Sequence, residues 1–314
     1  MLTYIVRRIA LLVIVALGVT ILTFIMMHLA PGDPAEMIAI ARYGLENLTV
    51  ENVEDIRIIE GFDSSVCIQY LHWLNHILRG DFGNSLVTGD PVWQEIIVRV
   101  PATLKLALAA LTLSLLISIP AGIISAAKQY SAGDYVTLIG ALLGASIPNF
   151  WLGLLLILIF SVNLGWLPVF GYGGLRYMIL PTLTLGTGLA AITARLTRFS
   201  MLEVLKQNYI ITARSKGLSE ARIVHGHALK NAFIPVVTVI GLQLGHLIEG
   251  TVIVESIFAW PGIGKLLVDS IYARDYATIQ GCVLLFAILF VIINLVVDII
   301  CIYLDPRIRY KKES

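Results

Sequence analysis

Six long apolar stretches limit the possible folds of this chain more than any other feature. They cover residues 9–30, 102–127, 136–164, 178–202, 232–258 and 277–304. A helix needs about 20 apolar residues to cross the hydrocarbon core of a bilayer, and each stretch reaches that length. Only 14% of the residues are charged and 58% are apolar, so a soluble fold of this size would lack a charged surface on all sides. The sequence therefore predicts an all-α integral membrane protein with six transmembrane helices.

Lys and Arg are unevenly distributed over the segments that connect these stretches. If the amino terminus is cytoplasmic, 14 of the 22 Lys and Arg residues lie on the cytoplasmic side. The first outer segment, residues 31–100, carries 11 acidic and four basic residues. Because basic residues accumulate in cytoplasmic loops, both termini are predicted to be cytoplasmic (N-in/C-in).

The outer segment contains one clear helical pattern, over residues 65–79. Ser65 can cap this helix and Gly80 can end it. Leucines at 71, 74 and 78 repeat at helical spacing and predict a buried face. His72 and His76 lie four residues apart on the other face, a spacing that can hold a metal ion. The same spacing fits a solvated polar face that they share with neighbouring polar residues.

Residues 207–235 are a basic cytoplasmic segment between two apolar stretches, and they predict two short helices joined at Gly217. Glycine adopts a positive φ at little cost, and Ser219 can cap the second helix. Such an elbow presents a compact basic surface to the cytoplasm. A surface of this kind can sit in a cleft of a partner and pass the partner's movement to the helices on either side.

This segment resembles the cytoplasmic coupling loop of type I ABC importer permeases, in which a Glu-Ala-Ala triplet stands shortly before a glycine. Here residues 211–213 read Ile-Thr-Ala, so only the last Ala matches the triplet, while Gly217 matches the glycine. The strings T-A-R-x-K-G-L and H-A-L-K-N-A-x-x-P are similar to those of the dipeptide, oligopeptide and nickel permeases. The resemblance assigns coupling to the partner ATPases to Ala213, Lys216, Gly217, Leu218 and Ser219.

Further motifs extend the resemblance over nearly the whole chain. They are residues 31–34, 69–74 with 80–83, 258–264, 274–276 and 305–309. Residues 146–151, and 166–168 with 171–174, are similar to the nickel-type members. The short third outer loop also favours nickel or a nickel chelate as the substrate. Dipeptide or oligopeptide uptake by the same architecture is the alternative.

The resemblance implies a type I ABC importer transmembrane domain over residues 97–306. The first helix and an extracytoplasmic segment precede it over residues 1–96, and a cytoplasmic tail follows over 307–314. The implied partners are a second homologous permease subunit, two ATP-binding subunits and an extracytoplasmic substrate-binding protein, with no nucleic acid. ATP and Mg would be used by the partner subunits, and this chain would carry no catalytic residue and no cofactor. The implied location is the inner or plasma membrane.

Polar side chains within the predicted spans mark a candidate translocation path, because such groups avoid lipid. Gln243, His246 and Glu249 follow one another at spacings of three on the fifth span, and Asp298 lies on the sixth. Hydrogen bonding between helices is the alternative role. A secondary transporter or channel would need an ion-coupling site, for which Glu249 and Asp298 are the only carboxylates well within the predicted spans.

Two pairs of glycines lie four residues apart within predicted spans. Gly140 is followed by Gly144, and Gly241 by Gly245. Such pairs allow helices to approach closely. Glycine is also generally frequent in membrane helices, so the pattern alone leaves both interpretations open.

Overall fold

A computed structural model of the protein describes residues 2–29, 32–59 and 61–304, with side-chain surroundings for all of these except 2–9, 27, 34, 41, 246, 298 and 301–304. Over this part of the chain the structure is built from thirteen α-helices. They are Leu2–Leu29 (α1), Pro34–Tyr43 (α2), Val50–Ile59 (α3), Val66–Leu78 (α4), Val92–Ala127 (α5), Ala132–Ser146 (α6), Asn149–Leu156 (α7), Leu175–Leu205 (α8), Asn208–Ser215 (α9), Glu220–Arg222 (α10), Leu229–Ile257 (α11), Ile263–Ala273 (α12) and Tyr276–Leu304 (α13). A 3₁₀ turn covers Leu45–Asn47, and π-helical turns cover Ile157–Asn163 and Ile223–Ala228.

Four helical stretches are long and apolar enough to cross a membrane. They are Val92–Ala127, Leu175–Leu205, Glu220–Gly245 and Tyr276–Val297. α6 and the stretch Asn149–Asn163 qualify together but are bent by 104°, which makes them a broken span or a re-entrant loop. α1 contributes a shorter apolar stretch, Ala10–Met26. Length and composition of the described residues therefore support four spans, or five with the bent pair; six spans and the N-in/C-in orientation stay predictions.

The bend falls within the stretch that the sequence predicts as one span over residues 136–164. Ile147 and Pro148 have extended backbone, with ψ of 120° and 138°. The ring of a proline disfavours helical backbone in the residue before it, so α6 ends at Ser146. α7 begins directly after Pro148.

The chain divides into two compact units. One comprises Met1–Thr103 and Pro261–Val291, and the other comprises Leu104–Trp260 and Ile292–Ser314. This division groups residues by proximity, so the domain boundaries expected from the sequence stay predictions.

In the first unit, α2 packs against α3 around a small apolar cluster that includes Ile38 and Ile56. Asp33 caps α2 by accepting a hydrogen bond from the amide of Ala35 (3.0 Å), and Arg57 of α3 pairs with the same carboxylate. The cap and the ion pair together hold α2 and α3 in contact. The described residues of the motif at 31–34 therefore have a structural role.

α4 follows Ser65 and ends before Gly80, as predicted, but the predicted buried face is wrong within this chain. Leu71 and Leu78 are 61% and 78% exposed. Tyr70 and Trp73 instead approach Phe24 of α1, with ring centroids at 5.4 and 6.2 Å. Aromatic rings cover more apolar area than leucine, so the aromatic face of α4 meets α1.

In the second unit, α8 is the central helix and packs against α6, α7 and α11. A Cβ atom on Gly241 of α11 would lie 2.1 Å from Cγ1 of Val297, and one on Gly144 would lie 3.0 Å from Cβ of Ala191. Gly140 has open space instead, with nothing within 4 Å of such an atom. Gly241 and Gly144 thus stand at close helix contacts, whereas Gly140 does not.

Candidate functional site

The predicted elbow is present between α9 and α10. Gly217 has a φ of +76°. Its amide donates to the carbonyl of Arg214 (2.9 Å), and the amide of Leu218 donates to the carbonyl of Ala213 (3.3 Å). These two bonds form a Schellman motif, which ends a helix with a left-handed residue. Glycine is therefore the residue that this left-handed turn favours most.

The next helix starts at Ser219, as predicted, although the hydroxyl of Ser219 makes no capping hydrogen bond. An ion pair spans the turn instead. Nε and Nη2 of Arg214 donate to the two carboxylate oxygens of Glu220 at 2.7 and 3.1 Å, which raises the pKa of the Arg214 guanidinium. An exposed pair of this kind adds at most about 1 kcal/mol to stability. Its two-point geometry fixes the angle of the turn.

The inner side of the elbow packs on an apolar cluster. Its buried members are Ala126, Met201, Ile210, Ala213, Ile223, Val224, Ala228 and Ala232. Leu218 packs against this cluster, whereas Lys216, Gly217 and Ser219 are exposed. The five predicted coupling residues therefore lie together on one elbow. Its outer surface is open, and its inner surface is attached to the ends of α5, α8 and α11.

A buried ion pair lies near the start of α6 in the same unit. Asp134, only 1% exposed, accepts hydrogen bonds from Nε and Nη2 of Arg198 on α8, at 2.6 and 2.9 Å. It also accepts from the hydroxyl of Ser125 on α5 and from the amide of Tyr130. One carboxylate thus ties together α5, α6 and α8. The sequence analysis missed it, although a Ser-x-x-Asp capping pattern at Ser131 precedes the apolar run.

A cavity of about 200 Å³ lies among α6, α7, α8 and α11 of the second unit. Aliphatic side chains and three glycines, Gly144, Gly188 and Gly250, line it, and among the described residues Asn149 is its one polar lining side chain. Cβ atoms on Gly188 and Gly250 would lie 3.2 Å from Oδ1 and 3.5 Å from Nδ2 of Asn149. The glycines therefore leave room for the carboxamide. The proline break places Asn149 at the start of α7.

The carboxamide of Asn149 has no hydrogen-bond partner among the described residues. It therefore keeps two donor hydrogens and an acceptor oxygen for a molecule that enters the cavity. The volume corresponds to about seven water molecules at about 30 Å³ each. This is enough for part of a small polar ligand.

The predicted path residues are not brought together at this cavity in the part of the chain that can be described. Gln243 is buried between α8 and α11, where its Oε1 accepts from the hydroxyl of Thr193 (3.2 Å) and its Nε2 has no partner among the described residues. Glu249 is exposed. The side chains of His246 and Asp298 lie outside the described residues. α11 reaches the cavity through Leu247 and Gly250 instead.

The two histidines of α4 lie in the first unit. Nδ1 of His76 is 2.9 Å from the carboxylate of Asp81, and both His72 and His76 are exposed. The described residues contain no group of three or more His, Cys, Asp or Glu side chains arranged to hold a metal ion. A metal site at His72 and His76 stays a prediction. In the structure His76 contacts Asp81 instead.

Comparison with known proteins identifies the family. The family described as "Binding-protein-dependent transport system inner membrane component" matches residues 118–310, and the N-terminal model of such membrane components matches residues 1–107. The chain is 42% identical to the di/tripeptide transport system permease protein DppB of Pseudomonas aeruginosa, over 99% of this chain and 100% of that protein. It is 43% identical to the glutathione permease GsiC of Escherichia coli K12, over the same shares of the two chains.

A third relative, the oligopeptide permease AppB of Bacillus subtilis, is 42% identical over 99% of this chain and 100% of its own length. Among solved structures, the inward-facing MetNI methionine ABC transporter matches with a TM-score of 0.57 at 22% identity. That match covers 67% of this chain and 95% of the other and supports the fold.

These relatives are permease subunits of transport systems, which in general work with ATPase and substrate-binding partners. Several helices of the chain are apolar enough to span a bilayer, so the protein is a multi-pass inner membrane protein. The chain belongs to the binding-protein-dependent transport system inner membrane components, as a type I ABC importer permease of the peptide family.

Proposed function

We propose that this chain is one of two permease subunits of an importer for short peptides. The observation that carries the proposal is the full-length similarity, at 42–43% identity, to permeases named for di/tripeptides, oligopeptides and glutathione. The sequence analysis favoured nickel, and none of these three names refers to nickel. The peptide alternative is therefore the better supported substrate class.

The cavity at Asn149 supports the same class. A peptide bond offers one N–H donor and one C=O acceptor, and a carboxamide offers the complementary pair. The other described lining residues are glycines and aliphatic residues, which suit side chains of varied shape. We place part of the translocation path at this cavity. Gln243, His246, Glu249 and Asp298 remain proposed path residues alongside it.

The proposed assembly contains a second homologous permease, two ATP-binding subunits and an extracytoplasmic binding protein. The partner ATPases use ATP and Mg, and this chain supplies the elbow at Gly217 and half of the path. Closure of the ATPases moves the elbow, and the elbow moves α11. A ligand or nucleotide shifts the equilibrium between two conformations of the importer only through its different affinity for each of them. A secondary transporter or channel remains the second candidate, and ATP-independent uptake would favour it.

The test is uptake of a radiolabelled tripeptide into proteoliposomes that contain the assembled importer and a saturating amount of the binding protein. Uptake should require ATP and should be lowered by Asn149→Leu, which removes the carboxamide but retains a side chain of similar size. Asn163→Leu, at an exposed position in the same unit, is the matched control. Tripeptide uptake without ATP would contradict the proposal, as would transport of Ni²⁺ in place of the tripeptide.

A further inference from the structure

Three motifs of the sequence meet at one cavity in the first unit, and the proposed function uses none of them. Residues 69–74, 80–83 and 274–276 are far apart in the chain, yet each contributes to the lining of a cavity of about 830 Å³. Pockets that bind small ligands usually have volumes of about 300–1,000 Å³. The size of this cavity is therefore that of a ligand site.

Two polar groups of α13 line the cavity without partners. Tyr276 and Gln280 are four residues apart, so they lie on one face of the helix. The hydroxyl of Tyr276 is buried and has no hydrogen-bond partner among the described residues. Gln280 is only 6% exposed, and within the described part of the chain nothing pairs with its carboxamide. Buried polar groups are nearly always hydrogen-bonded, so the buried Tyr276 hydroxyl indicates a bound molecule that supplies its partner, and Gln280 lines the same cavity.

The remaining walls combine aromatic rings with charge. Phe24, Trp73 and Phe82 supply apolar surface, while Arg42 and Asp81 supply opposite charges from two different elements. Asp81 accepts hydrogen bonds from the amide of Gly83 and from His76, and these bonds lower its pKa. The carboxylate is therefore ionised at neutral pH. The cavity thus offers charges of both signs, amide-type groups and aromatic contacts.

The loop that carries Asp81 and Phe82 is fixed to α13. Asp275, 3% exposed, accepts hydrogen bonds from the hydroxyl of Ser85 (2.5 Å), the amide of Leu86 (3.1 Å) and the hydroxyl of Thr278 (2.8 Å). The loop and the first turn of α13 are therefore held in one arrangement. A preformed site of this kind loses little entropy when a ligand binds.

We propose that this cavity is a binding site for a short peptide with free termini, on the permease itself. The peptide ammonium group pairs with Asp81, the carboxylate lies towards Arg42, and main-chain amides satisfy Tyr276 and Gln280. The aromatic walls accept apolar side chains. The proposal rests on the proposed function, since it assigns the same substrate class to a second place in the chain.

The test measures binding to the full-length chain in nanodiscs, without any partner subunit. The probe is the tripeptide Ala-Phe-Ala with free termini, and the comparison is the same tripeptide acetylated and amidated. Equilibrium dialysis with labelled probe gives the affinity. Free Ala-Phe-Ala should bind saturably and at least about tenfold more tightly than the blocked form, because charge-assisted hydrogen bonds are about twice as strong as neutral ones.

Two variants remove the unpartnered groups, and each has a matched control. Tyr276→Phe and Gln280→Leu should each weaken binding about three- to tenfold, the usual effect of one hydrogen bond. Tyr272→Phe and Gln94→Leu make the same changes at exposed positions outside the cavity and should leave the affinity unchanged. Because the Tyr276 hydroxyl has no partner among the described residues, its removal should not lower the melting temperature. If the hydroxyl had only a structural role, its removal would lower the melting temperature and leave the affinity unchanged.

Several results would overturn the proposal. They are no saturable binding of Ala-Phe-Ala, equal binding of the blocked peptide, or an affinity that both cavity variants leave unchanged. A phospholipid that stays bound through purification and is not displaced by the tripeptide would assign the cavity to lipid instead. Uptake by the assembled importer is measured separately. Normal ATP-driven uptake without binding to the isolated chain would therefore refute this site while leaving the proposed function intact.

Discussion

Replacing Gly217 by valine tests whether the elbow couples the ATPases to the path. Gly217 has a φ of +76°, and nothing lies within 4 Å of a Cβ atom built on it. The only penalty of a side chain is therefore the left-handed backbone itself, roughly 1–2 kcal/mol for an ordinary L-residue. A β-branched residue is a stronger outlier in that region. About 1.4 kcal/mol corresponds to a tenfold change in an equilibrium constant. In the Gly217→Val variant, the native conformation of the elbow should therefore be at least about tenfold less populated.

The assay is ATP hydrolysis by the reconstituted importer, stimulated by loaded binding protein, alongside tripeptide uptake. Gly217→Val should insert and assemble but lose most of the stimulated hydrolysis and uptake. Gly217→Asn is the matched control, because asparagine tolerates the left-handed region, and it should retain most of the coupling. Normal coupling in the valine variant would refute the role of the turn. Equal losses in both variants would refute the backbone argument, since they would point to the added side chain.

The other predictions concern packing, buried charge and orientation. Gly241→Ala places an atom 2.1 Å from Val297 and should lower the melting temperature in detergent, with a loss of about 1–3 kcal/mol in stability. Gly140→Ala should leave the melting temperature unchanged. Equal melting temperatures of the two variants would contradict the close contact. Asp134→Asn should destabilise the protein by about 3–5 kcal/mol because it leaves the Arg198 charge without its partner. The double variant Asp134→Leu/Arg198→Met should recover part of this loss in the same melting assay. A double variant as unstable as the single one would contradict this. The exposed native Cys67 should react with an impermeant maleimide added to intact cells. A cysteine introduced by Ser219→Cys in a Cys67→Ser background should react only after permeabilisation. The reverse pattern would invert the proposed orientation.

Features that depend on neighbouring residues were predictable from the sequence. Gly217 lies between two short polar helices, and its left-handed turn follows from the chain within three residues on either side. The helix at 66–78 follows in the same way from Ser65 and Gly80. The family resemblance carried the interpretation further, to the class of transport system, because its motifs recur along most of the chain.

The break at Pro148 was missed although it is a local feature, because the apolar length of residues 136–164 predicted one span. Features that depend on contacts between particular helices were not predictable. The leucine repeat of α4 gave the correct period but the wrong face, because the neighbouring α1 presents Phe24 to the aromatic side. The cavity at Asn149 depends on glycines from three other helices, and a sequence pattern gives no sign of such an arrangement.

The elbow and the cavity at Asn149 are joined by one continuous element. Helical structure runs without interruption from Glu220 through the π-helical turn into α11, which reaches the cavity at Gly250. At about 1.5 Å per residue, the 27 residue steps from Ile223 to Gly250 span roughly 40 Å. In the proposed function, a small rotation at the elbow would therefore displace Leu247 and Gly250 beside Asn149.

This connection separates the effects of the two key substitutions. A change at Gly217 acts before the helix moves, so it should reduce stimulated ATP hydrolysis and uptake together. A change at Asn149 acts on the ligand at the far end of α11, so it should reduce uptake while the elbow and basal ATP hydrolysis stay intact. The π-helical turn before α11 and Pro235 within α11 both interrupt regular α-helical hydrogen bonding. Bending at these places would absorb part of the movement, so the cavity responds most strongly when α8, which packs along both the π-helical turn and α11, keeps the helix straight.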